Sequence, residues 1–240
     1  SIHSFPTRRS SDLPESTKFA LDILQNEIPF AIWETVYVTI ISTFLALVVG
    51  LPLGVLLVVG EKDGILPLPK PILSILNAII NLLRSIPFLI LMIMVFPVTR
   101  FFAHTVVGTA PTIVPLVFAA FPFVARLVES SLREVDGNII ETAVSMGASP
   151  FQIIFRVLIP ESIPSLISNI TIALTTVLSY SAMSGIIGGG GLGKIAINYG
   201  YYRSEELVML IAVLLLIILV QIFQTVGTKL AANEDKRIRR

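Results

Sequence analysis

Residues 35–60 read TVYVTIISTFLALVVGLPLGVLLVVG, bounded by Glu34 and Glu61 with no charged side chain between them. At about 1.5 Å per residue, a helix of this length exceeds the roughly 30 Å hydrocarbon core of a bilayer. In lipid such a run must satisfy its own backbone, which a helix does. The rest of the chain agrees. Of 240 residues, 54% are hydrophobic and 14% charged, and the mean hydropathy is +0.87. Soluble domains are about a quarter charged and still turn much of their surface to water. The expected fold class is an all-α membrane protein.

Four further apolar stretches follow. One covers about 72–97, interrupted only by Arg84. Another covers about 101–125, with its better spanning part beginning near Thr112. Ser162 to Gly193 is longer than one span needs, so its glycine-rich end is expected outside the bilayer. Leu207 to Thr228 completes a set of about five transmembrane helices. Trp33 and Tyr37 stand where aromatic interface anchors belong. Residues 14–30 form a lead-in, amphipathic over 17–27 with Phe19, Ile23 and Leu24 on one side. The transmembrane domain is assigned to 31–230 and a basic tail to 231–240. Residues 1–13, SIHSFPTRRSSDL, lack the apolar core of a signal peptide. They resemble the translation of a sequencing-adaptor fragment, the alternative being a natural disordered tail, and no function is assigned to them.

Lysines and arginines set the orientation. With the C-terminus inside, Lys62, Lys70, Arg126, Arg133, Arg156, Lys229 and the basic tail are cytoplasmic, with Arg84 near that side. Lys18, Arg100, Lys194 and Arg203 are then outside, together with Arg8 and Arg9. The expected topology is N-terminus out, C-terminus in. The net charge of +1 gives no reason to expect nucleic acid. The absence of cysteine excludes disulfides and thiolate ligands. His3 and His104 are too far apart to suggest a metal cluster and are read as surface or headgroup-level side chains. No cofactor or metal is expected on this chain.

The polar interval 126–161, inside in this topology, contains EVDGNIIETAVSMGASPFQ at 134–152. Asp136 or Asn138 can cap a short helix beginning near Ile139. Ile140, Ala143, Val144 and Gly147 recur at helical spacing and make one face of apolar and small residues. Gly147 suits the left-handed residue that ends a helix. Ser149, Pro150 and Gln152 restart one through a capping box with proline at its first position. Pro160 and Pro164 mark the re-entry into the membrane. The expected product is a helix–turn–helix whose apolar face either packs on its own protein or meets a partner.

Within that interval Glu141-Thr-Ala143, three residues, Gly147, nine residues and Val157-Leu-Ile-Pro160 resemble the EAA loop of ABC importer permeases. Thr142, Val157 and Ile159 are mild departures from the family's Ala, Ile and Leu. The wider resemblance runs from about Trp33 to Gln224 and is to the methionine-type importer permeases. It rests on Trp33-Glu-Thr35, Gly50-Leu-Pro-Leu-Gly54, Asn81-Leu-Leu-Arg84-Ser-Ile-Pro87, Pro122-Phe-Val-Ala-Arg126, Ser179-Tyr-Ser-Ala-Met183 and Gly189-Gly-Gly-Leu-Gly193. Ser184 stands where the family often has glycine, and Lys194 follows the glycine run.

The resemblance implies a type I ABC importer permease fold, a homodimer, and a bacterial inner-membrane location. It implies a coupling helix carrying Glu141, Ala143, Gly147 and, at its re-entry, Pro160, docked on a cytoplasmic ATPase. Two ATPases, an extracytoplasmic substrate-binding protein and the lipid bilayer would be the partners, with ATP and magnesium held by the ATPases. Tyr180, Ser181 and Met183 would line the pathway or its gate, and this chain would perform no bond chemistry. The alternatives are an importer of another amino acid or short peptide, or an ATPase-independent channel or secondary carrier. The last should show inverted repeats with paired broken helices, which this sequence does not display.

Two features invite other assignments. Gly188 to Lys194 fits the first seven positions of a phosphate-binding loop, but Ile195 stands where Ser or Thr would hold magnesium. The glycines are read instead as a tight re-entrant turn. Arg84 is either functional at depth or snorkels to the cytoplasmic interface, its position early in an in-to-out helix favouring the latter. Ile86-Pro87 beyond it is expected to kink the helix.

Overall fold

The computed structural model describes residues 13–234, with side chains from Phe19 onward. The segment assigned to 1–13 therefore lies outside the described residues except for Leu13, and the basic tail is described only to Glu234. Every regular element among them is helical. Four helices are long and apolar enough to cross a bilayer unbroken: α2 (Ile28–Val59), α6 (Ile113–Arg133), the continuous run Pro150–Ile187 and α11 (Glu206–Glu234). A fifth crossing is available only as a broken pair, α3 (Lys70–Ser85) with α4 (Phe88–Met94), bent by 110°. The single helix expected over 72–97 is thus two helices and the start of a third, α5 (Phe96–Ala103). The cause lies at Ile86-Pro87. Ile86 is forced into extended backbone, φ −82° and ψ 127°, as a residue before proline prefers.

The span expected to begin near Thr112 does so, with Thr112 at the N-cap of α6. That helix runs past Arg126 to Arg133, so the first eight residues of the polar interval still belong to it. Its main partner is α2. Ala46, Gly50 and Gly54 recur every fourth residue on the buried side of α2, while Ile40, Phe44 and Val48 are exposed on the opposite side. A Cβ on Gly50 would come within 2.8 Å of Val124, and one on Gly54 within 2.6 Å of the Ala125 carbonyl. Small residues at this spacing let two membrane helices approach backbone to backbone, which is the physical content of the GLPLG stretch.

The lead-in folds as α1 (Leu13–Asn26). Ala20 and Ile23 are buried against Ile28, Leu192 and Val208, with Phe19 packed beside them. Leu24, expected on the same side, is 38% exposed.

One end of the bundle, called here the hairpin end, gathers Val59, Arg133 and the 134–152 segment. The other, the glycine end, gathers Glu34, Gly108 and the 188–193 turn. At the hairpin end Arg126 donates to Asn77 (2.7 Å) and Asn81 (2.9 Å) of α3 and to Glu129 (2.6 Å). Arg133 pairs with Glu129 (2.8 Å) and with Glu61 (2.6 Å) in the α2–α3 loop. The hydrogen bond from Arg133 holds the Glu61 carboxyl below its ordinary pKa. This network clamps α3 to α6 and went unread in the sequence. Asn77, Asn81 and Arg84 fall at i, i+4 and i+7, a polar stripe that was its available signal. Truncating Arg126 removes the donor to the side-chain oxygens of both asparagines and leaves the half-buried Glu129 with one partner. Arg126→Ala is expected to destabilise the chain by about 2–3 kcal/mol, the range for hydrogen bonds to charged groups. A thermal unfolding midpoint in detergent, lowered for Arg126→Ala and less so for Arg126→Lys, checks this.

Candidate functional site

The hairpin begins at α7 (Gly137–Ser145), where the Asp136 carboxylate accepts from the Asn138 N–H at 3.0 Å. Its end is a Schellman motif: the Ala148 N–H reaches the Ala143 carbonyl and the Gly147 N–H that of Val144, at 3.1 and 2.9 Å. Gly147 sits at φ +81°, the left-handed conformation that glycine adopts without Cβ strain. Ser149 then caps α8 (Pro150–Ile153) through a complete capping box with Gln152. Both turns of the hairpin are therefore closed by backbone chemistry that its own sequence specifies.

From α8 the chain does not break before the membrane. It widens into a π-helical stretch, Ile154–Leu158, and continues as α9 (Ile159–Ser184). Pro160 has no N–H to offer the Arg156 carbonyl. Widening the turn just before it, with the Ile159 N–H reaching the Ile154 carbonyl, accommodates that loss. Pro160 and Pro164 thus lie inside one continuous helix.

The apolar face expected from Ile140, Ala143, Val144 and Gly147 divides in two. Ile140 packs with Val135 and Ile159 onto the buried cluster of Leu132, Ile154 and Leu158. Val144, Met146 (82% exposed), Phe151 and Phe155 are left uncovered. Ala143 is half-buried, Glu141 and Gly147 are exposed, and a Cβ on Gly147 would meet nothing within 4 Å. The hairpin is thus anchored by one edge and presents the other. Spacing had identified its helix but not Phe151 and Phe155, which lie beyond the turn on the next helix.

At the glycine end, α10 (Gly191–Ile195) starts against α2. The Gly191 N–H donates to the Glu34 carboxylate at 2.8 Å, and the Leu192 N–H to the Thr35 hydroxyl at 2.9 Å. Thr109 also donates to Glu34. The amides that would cradle a phosphate in a nucleotide loop already serve a carboxylate, so this turn binds its own chain. It explains the Trp33-Glu-Thr35 stretch: Glu34 and Thr35 are the hooks for the glycine turn. Lys194 stands exposed beside it.

The three pathway candidates on α9 are not all on one surface. Tyr180 stacks on Phe88 of α4 with ring centroids 4.4 Å apart and planes 5° from parallel. Met183 is 40% exposed, three residues on. Ser181 is buried and donates to the Leu178 carbonyl at 2.8 Å. Ser184, also buried, donates to the Ser181 carbonyl. Arg84 and Tyr180 share one cavity, described below, beside Ala119 and Phe123 in the N-terminal half of α6. Arg84 is therefore placed beside the middle of that helix, one turn beyond the Asn81 contact to Arg126. Among the described residues no group of three or more His, Asp or Glu side chains is placed to hold a metal ion.

Bilayer-length helices around small-residue seams, with a rigid hairpin standing off one end, are the architecture of a membrane transport subunit. The chain matches the binding-protein-dependent transport system inner membrane components over residues 50–229 and belongs to that family. It is a multi-pass permease component of a bacterial ABC importer. It is 46% identical over 207 residues to the probable D-methionine transport system permease protein MetI of Vibrio cholerae, covering 86% of this chain and 92% of that protein. It is 44% identical over 168 residues to the methionine import system permease protein MetP of Bacillus subtilis, covering 70% and 76%. Among solved structures, a chain of the inward-facing MetNI methionine ABC transporter superposes with a TM-score of 0.83 at 42% identity, covering 85% of this chain and 94% of that one. This gives the type I ABC importer permease fold. An amino acid ABC transporter solved with histidines shares the fold alone, at 16% identity and a TM-score of 0.72.

Proposed function

We propose that this chain forms the translocation pathway of an ATP-driven importer of methionine. The observation that carries this is the hairpin: a rigid, doubly capped unit with Val144, Met146 and Phe151 uncovered, joined without a break to the helix carrying Tyr180. Exposed apolar side chains at this density, rimmed by polar ones, fit a protein partner. The partner is a cytoplasmic ATPase, docked over Glu141–Gly147, which supplies the nucleotide and magnesium chemistry. Two copies of the chain pair about the pathway, each with one ATPase, and an extracytoplasmic protein delivers the cargo. The hairpin end is cytoplasmic, consistent with Lys62, Arg133, Arg156 and Lys229 at that end.

Nucleotide binding closes the two ATPases and drags the hairpins with it. The permease then exchanges inward-open for outward-open because nucleotide binds the two states with different affinity. Tyr180 and Met183 line the pathway, with Met183 as a flexible apolar gate. Methionine is assigned as cargo on the identity to the MetI and MetP permeases across most of the chain.

Uptake of labelled L-methionine in a transporter-deleted, methionine-requiring bacterium tests this. Expressed with its ATPase and binding protein, the chain is expected to support uptake that needs all three and is abolished by an inactive ATPase. Competition by a different amino acid but not by methionine would overturn the cargo. Transport without the ATPase would overturn the coupling itself.

A further inference from the structure

Within the glycine-end half of the bundle a cavity of about 160 Å³ is lined by Arg84, Ile86, Phe88, Ala119, Phe123 and Tyr180, among others. Among its lining residues only Arg84 and Tyr180 carry polar side chains. The other two members of the polar stripe on α3, Asn77 and Asn81, are taken up by Arg126. Arg84, one turn further on, has no ion pair or hydrogen bond within the described residues, while Arg126 and Arg133 are fully partnered. Arg84 is exposed on this chain, and an unpaired cation on a membrane helix is costly and marks a ligand or ion path. The cavity has room for several waters, the scale of one small molecule.

We infer that this cavity is a transient binding site for the transported amino acid, with Arg84 receiving its α-carboxylate. The inference rests on the proposed amino-acid cargo and adds the site within the permease. Guanidinium is the cation best shaped for a carboxylate, which it grips with two parallel N–H donors. No carboxylate lines the cavity, so the site selects the anionic end of a zwitterion. The Phe88–Tyr180 stack and Phe123 offer aromatic faces to an α-ammonium and an edge to a thioether. The site lies where α3 breaks to α4 and where α9 arrives from the hairpin. A movement of α9 against α4 separates Tyr180 from Phe88 and opens the site, which gives a means of release.

The test is equilibrium binding of labelled L-methionine to the permease–ATPase complex in nanodiscs without the binding protein. L-methioninol, which keeps the ammonium and thioether but lacks the carboxylate, serves as competitor. The wild type is expected to prefer methionine over methioninol by about 10- to 100-fold, the scale of a charge-assisted hydrogen-bonded pair. Arg84→Gln should bind both with equal, weak affinity, Arg84→Lys should keep part of the preference, and Phe88→Ala should weaken both ligands alike. A wild type that binds no methionine or does not discriminate, or an Arg84→Gln complex that still does, overturns the inference. So does a phospholipid that co-purifies with the wild type, is lost from Arg84→Gln and blocks methionine binding. Failure of the cargo assignment shows separately, as cellular uptake that methionine does not compete.

Discussion

Gly147→Trp is expected to reduce ATP-driven uptake to background, a fall of at least about 100-fold, while the chain reaches the membrane at normal levels. Two effects combine at this position. The residue adopts φ +81°, and a side chain in that conformation costs about 1–2 kcal/mol. The larger effect is steric and lies outside the protomer. A Cβ on Gly147 meets nothing within 4 Å, so an indole has free space on this chain and would project into the proposed docking surface. Gly147→Asn separates the two, because asparagine tolerates the left-handed region but adds little bulk. It is expected to retain uptake within about threefold of wild type. Co-purification of the ATPase should be lost with tryptophan and kept with asparagine; an ATPase that stays bound and active with tryptophan would remove Gly147 from the docking surface.

At the opposite end of the bundle, Gly193→Ala is expected to cost more than about 3 kcal/mol and strip the chain from the membrane fraction. The added methyl would overlap the backbone of Ala182 in α9, which cannot move aside as a side chain can. Overpacking costs about 1–3 kcal/mol even where side chains can adjust. The neighbouring glycines are equally confined: a Cβ on Gly190 collides with Thr109 and Glu34, and one on Gly189 with Ser184. Gly137→Ala, where no atom lies within 4 Å, is the matched control and should accumulate normally. Equal membrane levels of the two variants, measured by immunoblot, would show that the glycine turn is looser than its geometry indicates.

The sequence was most legible where one residue type has one physical use. Gly147 and the Ser149–Gln152 capping box have the backbone roles their sequence implies, and of the two cap candidates, Asp136 and Asn138, the structure uses Asp136, because caps depend on a few adjacent residues. Thr112 as the start of α6 followed from apolar length alone. The EAA spacing identified the family that the chain's relatives share. Contacts distant in sequence were not legible. Glu34 hooking Gly191 joins residues 157 positions apart and leaves no periodic trace, while Arg126 with Asn77 and Asn81 joins α6 to α3 and leaves only the polar stripe on α3. Proline was read too simply. Pro87 breaks its helix by 110°, whereas Pro160 is absorbed by a π-helical turn, and which occurs depends on the packing around it. The hairpin face was half right for a similar reason: spacing places Ile140 and Val144 together, but only the tertiary fold decides that Ile140 is covered.

The unbroken run from Pro150 to Ile187 has a mechanical consequence. Its 38 residues, at 1.5 Å each, make a rod about 57 Å long. One end begins in the hairpin and the other, beyond Tyr180, passes into the glycine turn. Tilted as one piece, a rod of that length moves its far tip about 1 Å sideways for each degree about the near one, by simple trigonometry. Opposite it, α3 and α4 meet at an elbow and cannot follow as one piece. Under the proposed coupling, such a lever working against a hinged neighbour would turn a small push at one surface of the bilayer into a parting of the stacked Tyr180 and Phe88 rings.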